Sequence, residues 1–116
     1  MGAGVTTKAR VWQLISGGRR AADELVAYAA GAVPGPSAMG LLDAPARQLF
    51  MEHPATARAE VRSWSEIFAK SLASLATFCD EVDTGTCRPS DEDLASVACS
   101  VSQMFSRLNR RLDAAA

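Results

Sequence analysis

Apolar residues recur along the chain at spacings of three and four, the period of one helix face. Alanine is abundant, β-branched residues are sparse, and Gly and Pro gather in a few short stretches. The first predicted helix runs from about Lys8 to Ala30, with Val11, Trp12, Leu14, Ile15, Leu25, Val26 and Tyr28 as its apolar positions. Gly17 and Gly18 weaken its middle by roughly 1 kcal/mol each relative to alanine, which predicts a kink or two shorter pieces. The Gly31–Gly40 stretch, with two prolines, ends it. A short helix over about Leu41–Met51 follows, its inner side formed by Leu42, Ala46, Leu49 and Phe50.

The strongest periodic signal starts at Pro54, a residue suited to a first helical turn, and is read as unbroken to about Val82. Val61, Trp64, Ile67, Phe68, Leu72, Leu75, Phe78, Cys79 and Val82 form one broad stripe, predicting a central, buried helix. After a turn at Asp83–Pro89, Ser90 and Asp93 have the spacing of a capping box. The last helix, about Asp91–Asp113, carries Leu94, Val97, Ala98, Val101, Met104, Phe105, Leu108 and Leu112 on one side. The expected fold is all-α, a helical bundle around a central hydrophobic helix. Residues 1–116 are read as one domain, with 1–7 as a flexible N-terminus.

Composition narrows the function. Twelve basic against thirteen acidic residues give a net charge of −1, which argues against nucleic-acid binding through bulk positive charge. No apolar run is long enough to span a membrane, and charges at Lys8, Arg10, Arg19, Arg20, Asp23 and Glu24 interrupt any signal-peptide core. Three cysteines without CxxC pairs suit neither a disulfide scaffold nor a zinc site, and point to a reducing, cytoplasmic setting. Cys79 and Cys87 flank the turn between the last two helices, where a bridge is geometrically conceivable. His53 is the single histidine, and no acid–base constellation accompanies it, so no enzyme, metal or cofactor is expected. Met1-Gly2-Ala3-Gly4-Val5-Thr6 fits the myristoylation pattern at Gly2, and one acyl chain beside Lys8 and Arg10 would give weak, reversible membrane attachment.

The segment Arg19-Arg-Ala-Ala-Asp-Glu-Leu-Val-Ala-Tyr28 resembles the third homology motif of the Bcl-2 family of apoptosis regulators. Ala22 takes the small position, Asp23 and Glu24 the acids, and Leu14, Ala21 and Leu25 three of four apolar positions; Gly18 stands where leucine is usual. Arg62-Ser-Trp-Ser-Glu-Ile67 is similar to the first homology motif around Trp64, with Ser65 and Glu66 in place of its glycine and arginine. Met104-Phe-Ser-Arg-Leu-Asn-Arg-Arg-Leu-Asp113 is similar to the end of the family's sixth helix. The resemblance spans roughly residues 11–113 and is to a trimmed, divergent relative of the kind some viruses encode.

It implies a regulator of cell death that holds an amphipathic helix of a pro-apoptotic or signalling protein in an apolar groove. The implied groove takes in Leu14, Ala21, Leu25, Leu49, Phe50, Val61, Trp64, Ile67 and Phe68. Arg62 substitutes for the charge partner that Glu66 cannot be, since residues four apart share a helix face. An incomplete groove would favour a homodimer through the exposed apolar area. The implied location is the cytoplasm, at a mitochondrial or other membrane surface. The alternative is a helical adaptor, a dimeric inhibitor of immune signalling or a chaperone, acting by protein–protein contact.

Overall fold

The computed structural model describes residues 3–116, with side chains from Thr7 onward. They form six helices: α1 (Ala3–Ala29), α2 (Pro36–Leu41), α3 (Ala44–Glu52), α4 (Pro54–Ile67), α5 (Ala69–Asp83) and α6 (Asp91–Ala115). No strand occurs among the described residues. The Cα radius of gyration is 14.9 Å and the extents are 46 × 26 × 20 Å. A compact domain of this length has a radius of about 13 Å, so the bundle is drawn out along its helices.

The helix at the centre is α1, which packs against α2, α4, α5 and α6. It starts at Ala3, taking in residues read from sequence as a flexible tail, and continues through Gly17-Gly18 without interruption. A methyl group at Gly18 would lie 2.5 Å from the Val101 Cγ1 atom, so this position is small because α6 crosses there. The close approach of α6 supports the helix where its own propensity is weakest. At its far end Gly31, at φ 117°, takes the conformation that stops α1.

The expected unbroken central helix is two helices. At Phe68 (φ −100°, ψ 19°) the backbone leaves the α region, and the Phe68 ring packs against Trp64 with centroids 6.1 Å apart. Apolar spacing of three and four survives a one-residue kink, so the pattern could not reveal it. α5 then runs along α1 with only Leu75 and Cys79 fully buried, and stands at the side of the bundle.

α1 and α6 run parallel. Lys8 pairs with Asp91 at 3.4 Å, and ten residues further along both helices Gly18 meets Val101. The start of α6 has the predicted capping box: Ser90 accepts from the Asp93 N–H at 3.1 Å, and Asp93 accepts from the Ser90 N–H at 3.1 Å. The short helices start at proline or at a local cap. Pro36 opens α2, and Asp43 accepts from the Ala46 N–H at 3.0 Å to open α3. The short helix predicted over about Leu41–Met51 is α3, and α2 is an additional helical turn inside the Gly31–Gly40 stretch that was read from sequence only as a break. Among the described residues no polar or charged side chain is buried.

Candidate functional site

Most of the residues expected to floor a groove are instead the core. Ala21, Leu25, Leu49, Phe50, Val61 and Trp64 are all buried, together with Ala22. Tyr28 and Phe50 stack with centroids 4.7 Å apart, and the Tyr28 hydroxyl donates to the Pro54 carbonyl at 3.1 Å. Burial pushes this phenol above its ordinary pKa, and the Arg58 guanidinium, 4.6 Å from the ring centroid, partly offsets the shift. Trp64 is wedged between α4 and α6, where its Nε1–H donates to the Met104 carbonyl at 2.9 Å and its ring meets Phe105 at 5.6 Å. The slot expected between the N-terminal helix and the Trp64 end is occupied by these side chains, which corrects the sequence reading. Phe68 is half-buried against the same cluster, and Ile67, 64% exposed, points away from it.

The charged motif residues are spent within the chain. Arg62 donates to the Ala29 carbonyl at 2.8 Å, and Arg58 donates to the Tyr28 and Ala32 carbonyls at 2.9 and 3.3 Å. α1 has no basic residue in its own last turn, so these two arginines of α4 supply the cations that its C-terminal dipole favours. Arg62, expected from sequence as a charge partner for a guest helix, thus caps α1 through the Ala29 carbonyl. Asp23 accepts from Arg19 at 2.9 Å, and Arg19 also reaches Asp80 of α5 at 2.8 Å. Glu24 accepts from the Ala38 N–H at 2.9 Å and holds the start of α2. Glu66 faces solvent. Gly2, the acylation candidate, lies outside the described residues.

The open site lies elsewhere, between α1, α2 and α6. A cleft of about 380 Å³ is lined by Gln13, Leu14, Gly17, Gly18, Pro36, Ser37, Gly40, Leu41, Val101, Ser102 and Phe105. Leu14 and Leu41, 44% and 41% exposed, stand at it from different helices, the one groove residue foreseen from sequence and one that was not. Added methyl groups at Gly17 and Gly40 would touch nothing within 4 Å, so the opening exists because these positions carry no side chain. No acidic, basic, His, Cys or Tyr residue lines it; it can hold apolar side chains and offer Gln13, Ser37 and Ser102 as hydrogen-bonding groups. Its available signals in the sequence were the paired glycines inside a helix and a leucine beside them.

A second opening of about 250 Å³ separates α5 from α6, with Leu75, Phe78, Val97, Val101 and Met104 inside and Lys70, Ser71, Ser74 and Ser100 also lining it. It is shallower in chemistry and carries more polar groups. The thiols are all free: Cys79 is buried, Cys87 half-buried and Cys99 exposed. Burial raises the Cys79 pKa, the opposite of what a reactive thiolate needs. Exposed His53 joins α3 to α4. Among the described residues no group of three or more His, Cys, Asp or Glu could hold a metal ion, and no helix is long and apolar enough to cross a membrane. Comparison of the chain with known protein families, curated proteins and solved structures gives no match in any of the three.

Proposed function

We propose that this chain is a non-enzymatic protein-interaction module whose working surface is the α1–α2–α6 cleft, where it seats the apolar side chains of a partner helix. One observation carries the reading: two exposed leucines from different helices converge on an opening floored by glycine backbone and free of titratable groups. Helix-in-groove recognition uses apolar anchors at i, i+3, i+4 and i+7, and a cleft of this volume takes one or two of them. The exposed flanks Leu14 and Leu41 would then cover the rest of the partner's apolar face.

Filling the cleft tests this. A Cβ at Gly17 meets nothing within 4 Å and stands at the opening, so Gly17→Leu is expected to fill the seat, with circular dichroism and the melting curve expected to stay as in the unaltered chain. Labelled amphipathic helical peptides, titrated by fluorescence anisotropy, are expected to bind the unaltered chain and to lose about tenfold or more in affinity on the variant, a difference of about 1.4 kcal/mol. Equal binding to both proteins would overturn the proposal.

Regulation of cell death is the narrower form of the same reading. It is supported by the order of the resembling motifs along the chain and by Leu14, a motif position that lines the cleft. It places the guest on the outer face of α1 and not against Trp64. Peptides of death-motif sequence, run beside unrelated amphipathic helices of equal length, are expected to bind more tightly if this form holds, and equal binding sinks it. Arg62→Glu is expected to weaken the fold through the lost α1 cap, without selectively removing the peptide.

A further inference from the structure

α5 and α6 follow one another in sequence but leave a gap between them. α5 starts beside Trp64, whose Nε1–H donates to the Met104 carbonyl, and the Thr84–Ser90 turn returns the chain to the start of α6, so the two run antiparallel. α5 leans on α1 and α4 instead, and the opening of about 250 Å³ lies between it and α6. Leu75, Val101 and Met104 are buried beneath it, Phe78 and Val97 are half-buried, and Ser71, Ser74 and Ser100 are exposed along its mouth.

Its dimensions decide what can enter. The lining runs from Lys70 to Phe78 on α5 and from Val97 to Met104 on α6. At about 1.5 Å of rise per residue, this groove is about 10–12 Å long. Spread over that length, its volume leaves a mean cross-section of about 20–25 Å². A helix with its side chains is about 10–12 Å across, or about 80–110 Å² in section, and does not fit. A single extended hydrocarbon chain does.

The two ends of the groove differ. Lys70 is the one charged residue that lines it, is exposed, and forms no ion pair with another described residue. Glu66, the acid nearest to it in sequence, lies on α4 and outside the lining. The acids of α5 (Asp80, Glu81 and Asp83) and of the first turn of α6 (Asp91, Glu92 and Asp93) all stand beyond Phe78 and Val97, at the opposite end. Asp113, the remaining acid of α6, is nine residues past Met104 and bonds to Asp43. The groove therefore has a cationic end at Lys70 and an apolar end where Phe78 meets Trp12.

We propose that the α5–α6 groove binds a single-chain amphiphile with an anionic headgroup, a medium-chain fatty acid. Its chain lies over Leu75, Val101 and Met104 toward Phe78, and its carboxylate stands beside the Lys70 ammonium. The site is separate from the α1–α2–α6 cleft, with which it shares only Val101.

The test titrates hexanoate, octanoate, decanoate and dodecanoate, each below its micelle concentration, into the whole chain by calorimetry at neutral pH and low salt. Affinity is expected to rise by up to about fourfold per added methylene and to level off by dodecanoate, once the chain overruns the groove. A rise that continues unchanged through dodecanoate and tetradecanoate would mean unspecific partition and overturn the site, as would no binding at all. Ser74→Leu fills the groove from its mouth and is expected to lose decanoate about tenfold, the size of one or two methylene contacts. Lys70→Glu, at an exposed and unpaired residue, is expected to weaken decanoate about two- to fivefold and to strengthen decyltrimethylammonium, as one exposed charge contact allows. The same change for both amphiphiles would overturn the anionic headgroup. Gly17→Leu is expected to leave decanoate binding unchanged. Loss in that variant, with binding kept in Ser74→Leu, would place the chain in the other cleft and overturn the proposal.

Discussion

Where α3 and α4 meet the C-terminal halves of α1 and α6, large side chains close the interior: Tyr28 on Phe50, Trp64 on Phe105, Leu108 and Leu112 fully buried. At the opposite end α5 and the N-terminal halves of α1 and α6 are joined by Trp12 on Phe78, 6.4 Å between centroids, by the exposed Lys8–Asp91 pair and by Arg19–Asp80. Here glycines and serines stand in the walls beside the larger apolar residues, and the two clefts described above remain. The same helices thus make a sealed end and an open one. What differs is the size of the residues between them: small residues let backbones approach at Gly18 and leave space at Gly17, one position away. Exposed ion pairs at the open end add little, typically below about 1 kcal/mol each.

If this contrast is right, truncation at the sealed end costs most. Trp64→Ala is expected to lose about 3–5 kcal/mol in urea unfolding, with the Met104 hydrogen bond gone and a cavity between α4 and α6; a loss below about 1 kcal/mol would mean that the end is not held by its rings. The glycine pair comes next and divides by sign. Gly18→Ala forces a methyl into Val101 and is expected to cost about 1–3 kcal/mol, whereas Gly17→Ala, free of contacts inside a helix, is expected to gain about 1 kcal/mol. Melting temperatures moving the same way for both would refute the packing described for α1 on α6.

Smaller effects probe the sealed end's edges. Arg62→Ala removes one charged donor from the α1 terminus and is expected to cost about 1 kcal/mol, more than Arg110→Ala, which leaves no partner behind. The smallest effect is electrostatic. Asp113 is held above the ordinary carboxyl pKa, by desolvation first and by its hydrogen bond to Asp43 second. A carboxyl whose pKa is raised by folding stabilises the protein while protonated and loses that contribution as pH rises through its folded value. Asp113→Asn is therefore expected to flatten the decline in stability between acid and neutral pH and to leave the fold otherwise unchanged, as read by melting curves across pH.

The helical class, the capping box at Ser90 and the buried stripes of α4 and α6 were legible because they are local: they follow from spacing and from a side chain meeting its own backbone three residues on. The kink at Phe68 was not, since no Gly or Pro marks it and apolar spacing runs through it unchanged. Nor was the centrality of α1. Gly17-Gly18 reads as a weakness in isolation, and only the neighbouring Val101 turns one of the two glycines into a contact. The groove was misplaced for a similar reason. Apolar residues at helical spacing mark a face that will be covered, and spacing alone does not tell a partner's side chain from the chain's own, so Leu25, Val61 and Trp64 read as a seat when Phe50 and Phe105 were already to fill it. The cap made by Arg62 was not legible because the carbonyl it reaches, that of Ala29, belongs to a helix more than thirty residues earlier.

The parallel course of α1 and α6 has a bearing on synthesis. Two neighbours pointing the same way cannot be joined by a short turn, and here the whole of α2 to α5 is the return path. The first helix leaves the ribosome long before the strip that covers Gly18, so its apolar flank waits uncovered until the final helix emerges, and contacts so distant in sequence are slow to form. For that interval the nascent chain presents the very surface a chaperone would hold.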